Sequence, residues 1–143
     1  LSPCLGAERM NLRAVSTAVV AGIGYCAIVF AAGFALGVLR ILELAPRLGE
    51  TTAVLVELPP MLLISWIACR WIVAKSHLSS RVGDRLIMGG TAFTVLMAAE
   101  VSFSFLTLGR TFQGHFVHYA SLSAQLGLAG QIAFALFPVL QRR

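Results

Sequence analysis

The uncharged segment AVSTAVVAGIGYCAIVFAAGFALGVL, residues 14–39, decides the fold class of this chain. A helix needs about 20 consecutive apolar residues to cross the hydrocarbon core of a bilayer. This segment exceeds that length and contains no Asp, Glu, Lys or Arg. Arg9 and Arg13 precede it, but it is longer than the apolar core of a secretory signal. We therefore predict a retained transmembrane helix.

Three further apolar segments follow, interrupted by few charged residues. Lipid offers no partner to backbone N–H and C=O groups, so each spanning segment is predicted to be helical. The prediction is an all-α integral membrane four-helix bundle with short loops. Residues 10–143 would form its single domain, and residues 1–9, before Met10, would be a dispensable extension. The predicted helices cover residues 14–39, 51–74, 86–108 and 116–140.

The composition supports this class and excludes others. Of the 143 residues, 58% are hydrophobic and only 12% are charged. A small soluble domain needs a charged shell that six acidic and eleven basic residues do not supply. The sequence contains no run of Lys and Arg residues of the kind that would indicate binding to nucleic acid. Cys4, Cys26 and Cys69 show no CxxC spacing, so neither a disulfide nor a cysteine-based metal site is expected.

The basic residues predict the orientation. In the predicted topology, seven lie on the side of the termini and the middle loop, and three lie on the opposite side. Because cytoplasmic loops carry the excess of Lys and Arg, both termini are predicted to be cytoplasmic. The seven are Arg9, Arg13, Lys75, Arg81, Arg85, Arg142 and Arg143, and the three are Arg40, Arg47 and Arg110.

Two acidic residues inside predicted spans need an explanation. A charge in the hydrocarbon costs at least about 2.5–3.5 kcal/mol on insertion scales. Glu57 and Glu100 lie at matching depths, within about 8–12 Å of the outer boundary. Arg40 closes the first helix on that side. The predicted buried polar cluster comprises Arg40, Glu57, Glu100, Ser104 and Gln125. It either fixes the helix register, or one of its carboxyl groups exchanges protons or binds a cationic ligand.

Small residues and prolines predict how the helices meet. Glycines allow close approach between membrane helices, and the predicted packing positions are Gly33, Gly37, Gly89, Gly127 and Gly130. The GFALG segment, residues 33–37, suits either a dimer seam or packing within one bundle, and the latter is favoured because such motifs are frequent. Pro59 and Pro60 remove backbone donors, so a kink in the second helix is predicted.

A metal site is a further candidate. His115 and His118 stand three residues apart and can share a helix face. Together with Glu57 and Glu100 they offer ligand types that suit a divalent metal, although a solvated histidine pair explains the same spacing. No cofactor is assigned. No nucleophilic triad or phosphate-binding glycine loop appears, so the chain is predicted not to be an enzyme.

The stretch GFALGVLRILELAPRLGETTAVLVELPPMLLISWIACRW, residues 33–71, resembles a group of small four-helix bacterial inner-membrane proteins without an assigned activity. The resemblance implies a bacterial source, an inner-membrane location and a start at Met10. A fainter similarity of the second helix to the eicosanoid and glutathione membrane enzymes lacks their Arg/Asn arrangement, so no glutathione chemistry is inferred. The recognisable positions of the first group are Arg40, Pro46, Glu57, Ser65, Trp66, Arg70 and Glu100.

Three functions are consistent with these patterns. The leading hypothesis is a non-enzymatic protein that acts through helix contacts, as a homo-oligomer or as an accessory to another membrane protein. The first alternative is a small proton- or cation-coupled transporter or channel that uses Glu57 and Glu100. The second is a metal- or cofactor-binding membrane protein. In each case the lipid bilayer is the expected surrounding, and nucleic acid is not an expected partner.

Overall fold

A computed structural model describes the backbone of residues 3–108 and 120–141 and the side chains of residues 11–106 and 120–141. Every element in these ranges is helical, which confirms the predicted all-helical class. The elements are α1 (Pro3–Leu39), a π-helical turn (Arg40–Leu44), α2 (Ala45–Leu48), α3 (Glu50–Ser76), α4 (Val82–Leu108) and α5 (Leu122–Leu140).

The four long helices form a bundle with alternating directions. Helix α1 packs against α3 and α4, and α5 packs against the same two helices, so α1 and α5 lie on one diagonal of the bundle. We call one end the Arg40 end, where α1 and α4 finish and α3 and α5 begin. The other end, which holds the α3–α4 loop, is called the Ser79 end. The candidate site described below lies at the Arg40 end.

The outer surface of the bundle is apolar. In the most apolar window of each long helix, between 17% and 28% of the residues are buried within the bundle. Large hydrophobic side chains instead face outward, including Leu106, Val20 and Leu42, which are 88%, 68% and 67% exposed. All four helices are long and apolar enough to cross a membrane, as predicted. Lipid would cover this surface at no desolvation cost.

The connection between α1 and α3 is helical almost throughout, whereas the predicted helices 14–39 and 51–74 left a loop between them. The backbone N–H of Ala45 donates to the carbonyl of Arg40, which gives the wide spacing of a π-helical turn. Pro46 follows in the first turn of α2 and has no N–H to donate to the preceding turn, which fits the interruption of regular α-helical spacing at this point. The chain then reverses direction at Gly49 alone.

Gly49 supports a prediction about stability. Its backbone angles, φ 81° and ψ 160°, lie in a region open almost only to glycine. We expect Gly49→Ala to lower the free energy of unfolding by about 1–3 kcal/mol. The control is Gly83→Ala, since Gly83 is helical and has open space at its Cβ position. The thermal midpoint in detergent measures both variants, and equal midpoints would contradict the prediction.

The dense part of the core lies towards the Ser79 end. The Tyr25 hydroxyl donates to the carbonyl of Phe134 at 3.0 Å, and the two rings stack with centroids 4.3 Å apart. This contact joins α1 to α5 across the diagonal, so it holds the bundle closed at mid-height. The core comprises Ala18, Ala21, Tyr25, Cys26, Val29, Ala68, Cys69, Leu78, Met88, Ala92, Leu96 and Phe134.

Two glycines allow close helix packing in this half. A Cβ on Gly22 would lie 2.6 Å from the carbonyl oxygen of Met88, and a Cβ on Gly89 would collide with the carbonyl oxygen of Ala135. Gly89 was among the predicted packing positions, and Gly22 was not. Glycine is needed at both places because the obstructing atoms belong to the backbone and cannot rotate away.

The other predicted packing glycines lie nearer the Arg40 end and differ in role. A Cβ on Gly130 would lie 2.8 Å from Leu58, and one on Gly33 would lie 3.2 Å from Met61, so both are in side-chain contact. Gly37 and Gly127 have no neighbouring atom within 4 Å of the Cβ position. These last two therefore leave space between the helices, and both line the cavity described below.

The prolines leave α3 unbroken. Helix α3 is continuous through Pro59 and Pro60, both of which face outward.

The last helix begins later than predicted. Helix α5 begins at Leu122 rather than at residue 116. The reason is Ser121, whose backbone is extended and whose Oγ accepts a hydrogen bond from the N–H of Ala124 at 3.3 Å. This is a standard N-cap.

Arg85 has a position that the charge count did not predict. The side chain belongs to the first turns of α4 and is only 2% exposed. Its Nε donates to the carbonyl of Ser79 at 2.9 Å, and its Nη2 donates to that of Leu78 at 3.4 Å. The guanidinium therefore fastens the α3–α4 loop onto the bundle, in addition to adding positive charge at this end.

Candidate ligand-binding cavity

A cavity of about 560 Å³ lies between the four long helices at the Arg40 end. Its volume is in the range of about 300–1,000 Å³ that is usual for small-molecule sites. All four long helices and the π-helical turn contribute side chains. Most of these are apolar, and the polar ones that line it are Arg40, Glu50, Glu57, Ser65, Glu100, Ser104, Ser123 and Gln131.

An ion pair at the cavity wall joins the π-helical turn to α3. Arg40 Nε lies 2.8 Å from Glu57 Oε2, and the side chains are 28% and 16% exposed. The Nε–H makes no hydrogen bond of acceptable angle, so the contact is mainly electrostatic. Arg40 is also the first residue of the π-helical turn. Such turns occur frequently at functional sites, because the extra residue in the turn re-aims the side chains.

A second polar contact joins α4 to α5. The Nε2 of Gln131 donates to Glu100 Oε1 at 2.6 Å, and both residues line the cavity. Ser104, one turn further along α4, is 8% exposed and lines the cavity as well. The structure therefore brings four of the five predicted cluster residues, all except Gln125, to one cavity.

Gln125 is the exception and requires a correction. Its side chain is exposed and does not line the cavity, and Gln131 provides the amide instead. Helix α5 begins at Leu122 and not at residue 116, so a face assigned on the predicted helix does not hold for Gln125. A usable signal was present in the spacing of Ser123, Gly127 and Gln131. These residues are four apart and share one face of α5.

A third polar contact lies nearer the end of the bundle. Ser123 Oγ donates to Glu50 Oε1 at 3.2 Å, which joins α5 to α3. Ser123 and Gln131 are eight residues apart on α5, so the two polar levels are separated by about 12 Å. The Glu50–Ser123 contact, which the sequence did not indicate, forms the outer level. The Glu100–Gln131 contact forms the inner level, near the depth of Arg40 and Glu57.

The deepest part of the cavity is mostly apolar, and Ser65 on α3 is a polar residue that also lines it there. Phe30, Met61, Leu96 and Phe134 line it on the Ser79 side of the inner polar level. No charged residue of the described chain joins them there. The cavity thus has polar groups towards the Arg40 end and an apolar floor towards the middle of the bundle. This distribution matches an amphiphilic molecule with its tail directed inward.

The predicted metal site is only partly within the described residues. Glu57 and Glu100 line the same cavity. His115 and His118 fall in the range 109–119, outside the described part of the chain. Within the described ranges, no group of three or more His, Cys, Asp or Glu residues has the arrangement of a metal site. The four-ligand hypothesis therefore stays a prediction.

The cavity is the strongest candidate for a functional site in the described chain, since it combines volume, burial and converging polar groups. Comparisons with protein-family models, with curated proteins and with solved structures give no match. The chemistry of the cavity itself, with its polar levels above an apolar floor, is thus what indicates a function.

Proposed function

We propose that this protein is a non-enzymatic, multi-pass membrane protein that binds a small amphiphilic molecule in the cavity at the Arg40 end. The observation that carries the proposal is the segregation of the cavity lining. Polar groups of Arg40, Glu57, Glu100 and Gln131 stand above a floor of aromatic and aliphatic side chains. A purely structural polar cluster needs no accompanying space of about 560 Å³.

The proposed location is a bacterial inner membrane with both termini in the cytoplasm. The excess of basic residues at the Ser79 end supports this orientation, because Lys and Arg are retained on the cytoplasmic side. Lys75 Nζ lies 4.7 Å from the centre of the Trp71 ring at that end, an arrangement that suits a membrane interface. The bacterial source rests on the family resemblance. In this orientation the cavity lies in the outer half of the membrane.

Transport coupled to protons or cations is a second candidate function. The observation that favours it is that Glu57 and Glu100, from different helices, line the same cavity. Carboxylates facing a shared space inside a membrane are a common arrangement for moving protons or cations. Binding of the amphiphile would then be one step of a transport cycle.

The hypothesis that the protein acts through contacts with other helices is not supported by the small-residue face at Gly33 and Gly37. Gly33 and Gly37, for which a dimer seam was the less favoured of the two interpretations, line the cavity between the helices of one chain. The remaining outer surface is broadly apolar, which suits lipid as well as a partner helix. An oligomer or a membrane-protein partner remains a proposal that these two glycines no longer support.

Filling the cavity tests the proposed function. Gly127 lines the cavity and has open space at its Cβ position, so Gly127→Leu places a side chain inside it. Gly90→Leu is the matched control, because Gly90 is equally open but faces outward. Dodecanol, dodecylamine and dodecanoic acid serve as probes, added to protein in lipid nanodiscs and detected on the protein by native mass spectrometry.

We expect at least one of these probes to bind the unchanged protein and the Gly90→Leu variant. We expect Gly127→Leu to weaken that binding by about tenfold or more, which corresponds to about 1.4 kcal/mol. The proposal is wrong if none of the three probes binds, or if Gly127→Leu binds them as tightly as Gly90→Leu does.

A further inference from the structure

We infer that the amphiphile bound in the cavity carries a second polar group, a neutral hydroxyl or carbonyl, at the inner end of its chain, and that Ser65 binds this group. This inference rests on the proposed function and names its ligand class. The burial of Ser65, the state of its hydroxyl group and its depth in the cavity carry it.

Ser65 places a hydroxyl group at the closed end of the cavity. The residue is 2% exposed, and it lies further along α3 than any other residue of that helix that lines the cavity. The next buried residues of α3, Ala68 and Cys69, belong to the dense core. Ser65 therefore stands where the cavity ends and the packed half of the bundle begins.

The hydroxyl group of Ser65 takes part in no hydrogen bond with the described residues. A serine or threonine within a helix normally donates to a carbonyl of the preceding turn or points to solvent. Thr17 donates to the carbonyl of Arg13 at 2.9 Å, and Thr94 donates to that of Gly90 at 2.8 Å. Ser65 does neither, although a buried hydroxyl group without a partner is unfavourable.

The Ser65 oxygen is open to a group in the cavity. The unpaired side-chain atoms that are fully shielded in the described chain do not include Ser65 Oγ, so this atom retains accessible surface. Because the residue is almost completely buried and lines the cavity, that surface faces the cavity. A ligand atom there can complete the missing hydrogen bond.

A lone water molecule is a poor partner for Ser65. A buried water typically makes about three hydrogen bonds. The other side chains that line the cavity at this depth are apolar and give a water almost nothing to bond, namely Phe30, Met61, Leu96 and Phe134. A polar group at the end of an alkyl chain suits this place better, because the chain itself is removed from water against these side chains.

The α3 wall shows how the two polar groups of the ligand are spaced. Glu57, Met61 and Ser65 are four residues apart, so they share one face of α3, and all three line the cavity. The order along this face is charged, apolar and hydroxyl, and Ser65 lies about 12 Å deeper than Glu57. A single chain with a polar group at each end matches this order.

The inner polar group of the ligand is neutral. Within residues 11–106 and 120–141, no charged side chain lines the cavity at the depth of Ser65. An ionised group taken out of water without a counter-charge is strongly unfavourable. A serine hydroxyl both donates and accepts, so a hydroxyl group or a carbonyl oxygen can pair with it. The ligand class is therefore a single-chain amphiphile with an oxygenated chain end.

Two isomers of dodecanediol test the inference. In 1,12-dodecanediol the second hydroxyl group is at the far end of the chain, whereas in 1,2-dodecanediol both hydroxyl groups are at one end. Binding is measured as in the cavity-filling experiment, for the unchanged protein, Ser65→Ala and Ser102→Ala. Ser102 is the matched control, because it is a helical serine that faces outward.

We expect the preference for 1,12-dodecanediol over 1,2-dodecanediol to fall about fivefold in Ser65→Ala, the effect of losing one neutral hydrogen bond. The preference should be unchanged in Ser102→Ala. Each isomer enters the nanodisc lipid equally whichever protein is present, so a change in preference reports on the cavity. Dodecanol, which has no second hydroxyl group, should bind Ser65→Ala and the unchanged protein alike.

The same preference in all three proteins would overturn the inference, as would failure of 1,12-dodecanediol to bind where dodecanol binds. Both results leave the proposed function standing, because the cavity still takes an amphiphile. Absence of binding by every dodecyl probe would remove the inference and the proposed function together.

Discussion

Replacing Gly89 by alanine is expected to destabilise the bundle more than alanine at any other glycine whose surroundings the structure describes. The new Cβ would overlap the backbone carbonyl oxygen of Ala135, so α4 and α5 would have to move apart. Overpacking of a dense core costs about 1–3 kcal/mol and occasionally more, and at this position no side chain can rotate to relieve it. We expect Gly89→Ala at or above the upper end of that range.

The neighbouring residue provides the control. Gly90 has no atom within 4 Å of its Cβ position, so Gly90→Ala is expected to be neutral or slightly stabilising, since alanine is the better helix former. Unfolding is followed with a thiol-reactive dye in detergent, because Cys26 and Cys69 are 2% and 0% exposed in the folded bundle. Indistinguishable midpoints for the two variants would show that α4 and α5 do not meet at Gly89.

Arg40→Ala is also expected to destabilise the bundle strongly. The change leaves the Glu57 carboxylate, 16% exposed, inside the helix bundle without its cation. Placing an uncompensated charge in the hydrocarbon costs about 2.5–3.5 kcal/mol on insertion scales, and partial hydration of the cavity reduces this figure. We therefore expect a loss of about 2 kcal/mol, measured as the shift in the thermal midpoint.

Arg47→Ala and a double variant make this prediction specific. Arg47 and Glu43 also form an ion pair, at 3.0 Å, but their side chains are 76% and 57% exposed. Exposed pairs contribute about 0–1 kcal/mol, so Arg47→Ala should have little effect. The double variant Arg40→Met with Glu57→Leu removes both charges and should regain most of the lost stability. A double variant no more stable than Arg40→Ala would contradict the explanation.

The four helices were predictable because hydropathy decides them almost alone. Apolar runs longer than about 20 residues, each with at most two charged residues, have few alternatives to membrane-spanning helices. The neighbourhood of Arg40 and Glu57 also followed from one physical argument. An acidic residue in an apolar helix needs compensation, and the basic residue at the same depth supplies it. Both predictions use only the order of apolar and charged residues along the chain.

Other features depend on how helices face one another, which a single sequence does not give. Gly22 and Gly37 look alike in the sequence, yet one allows a close backbone contact and the other opens onto a cavity. Gln125 and Gln131 are likewise interchangeable until the start of α5 is known. The burial of Arg85 was hidden because the α3–α4 loop folds its own carbonyls onto the guanidinium.

The stacked rings of Tyr25 and Phe134 close the cavity on the side of the Ser79 end. Phe134 belongs to its floor, and the Tyr25 hydroxyl is tied to the backbone beneath it. Separating Tyr25 from Phe134 would break an aromatic contact and a hydrogen bond, each of which contributes about 0.5–1.5 kcal/mol. A molecule bound in the cavity therefore cannot pass to the Ser79 end of the bundle unless α1 and α5 first separate.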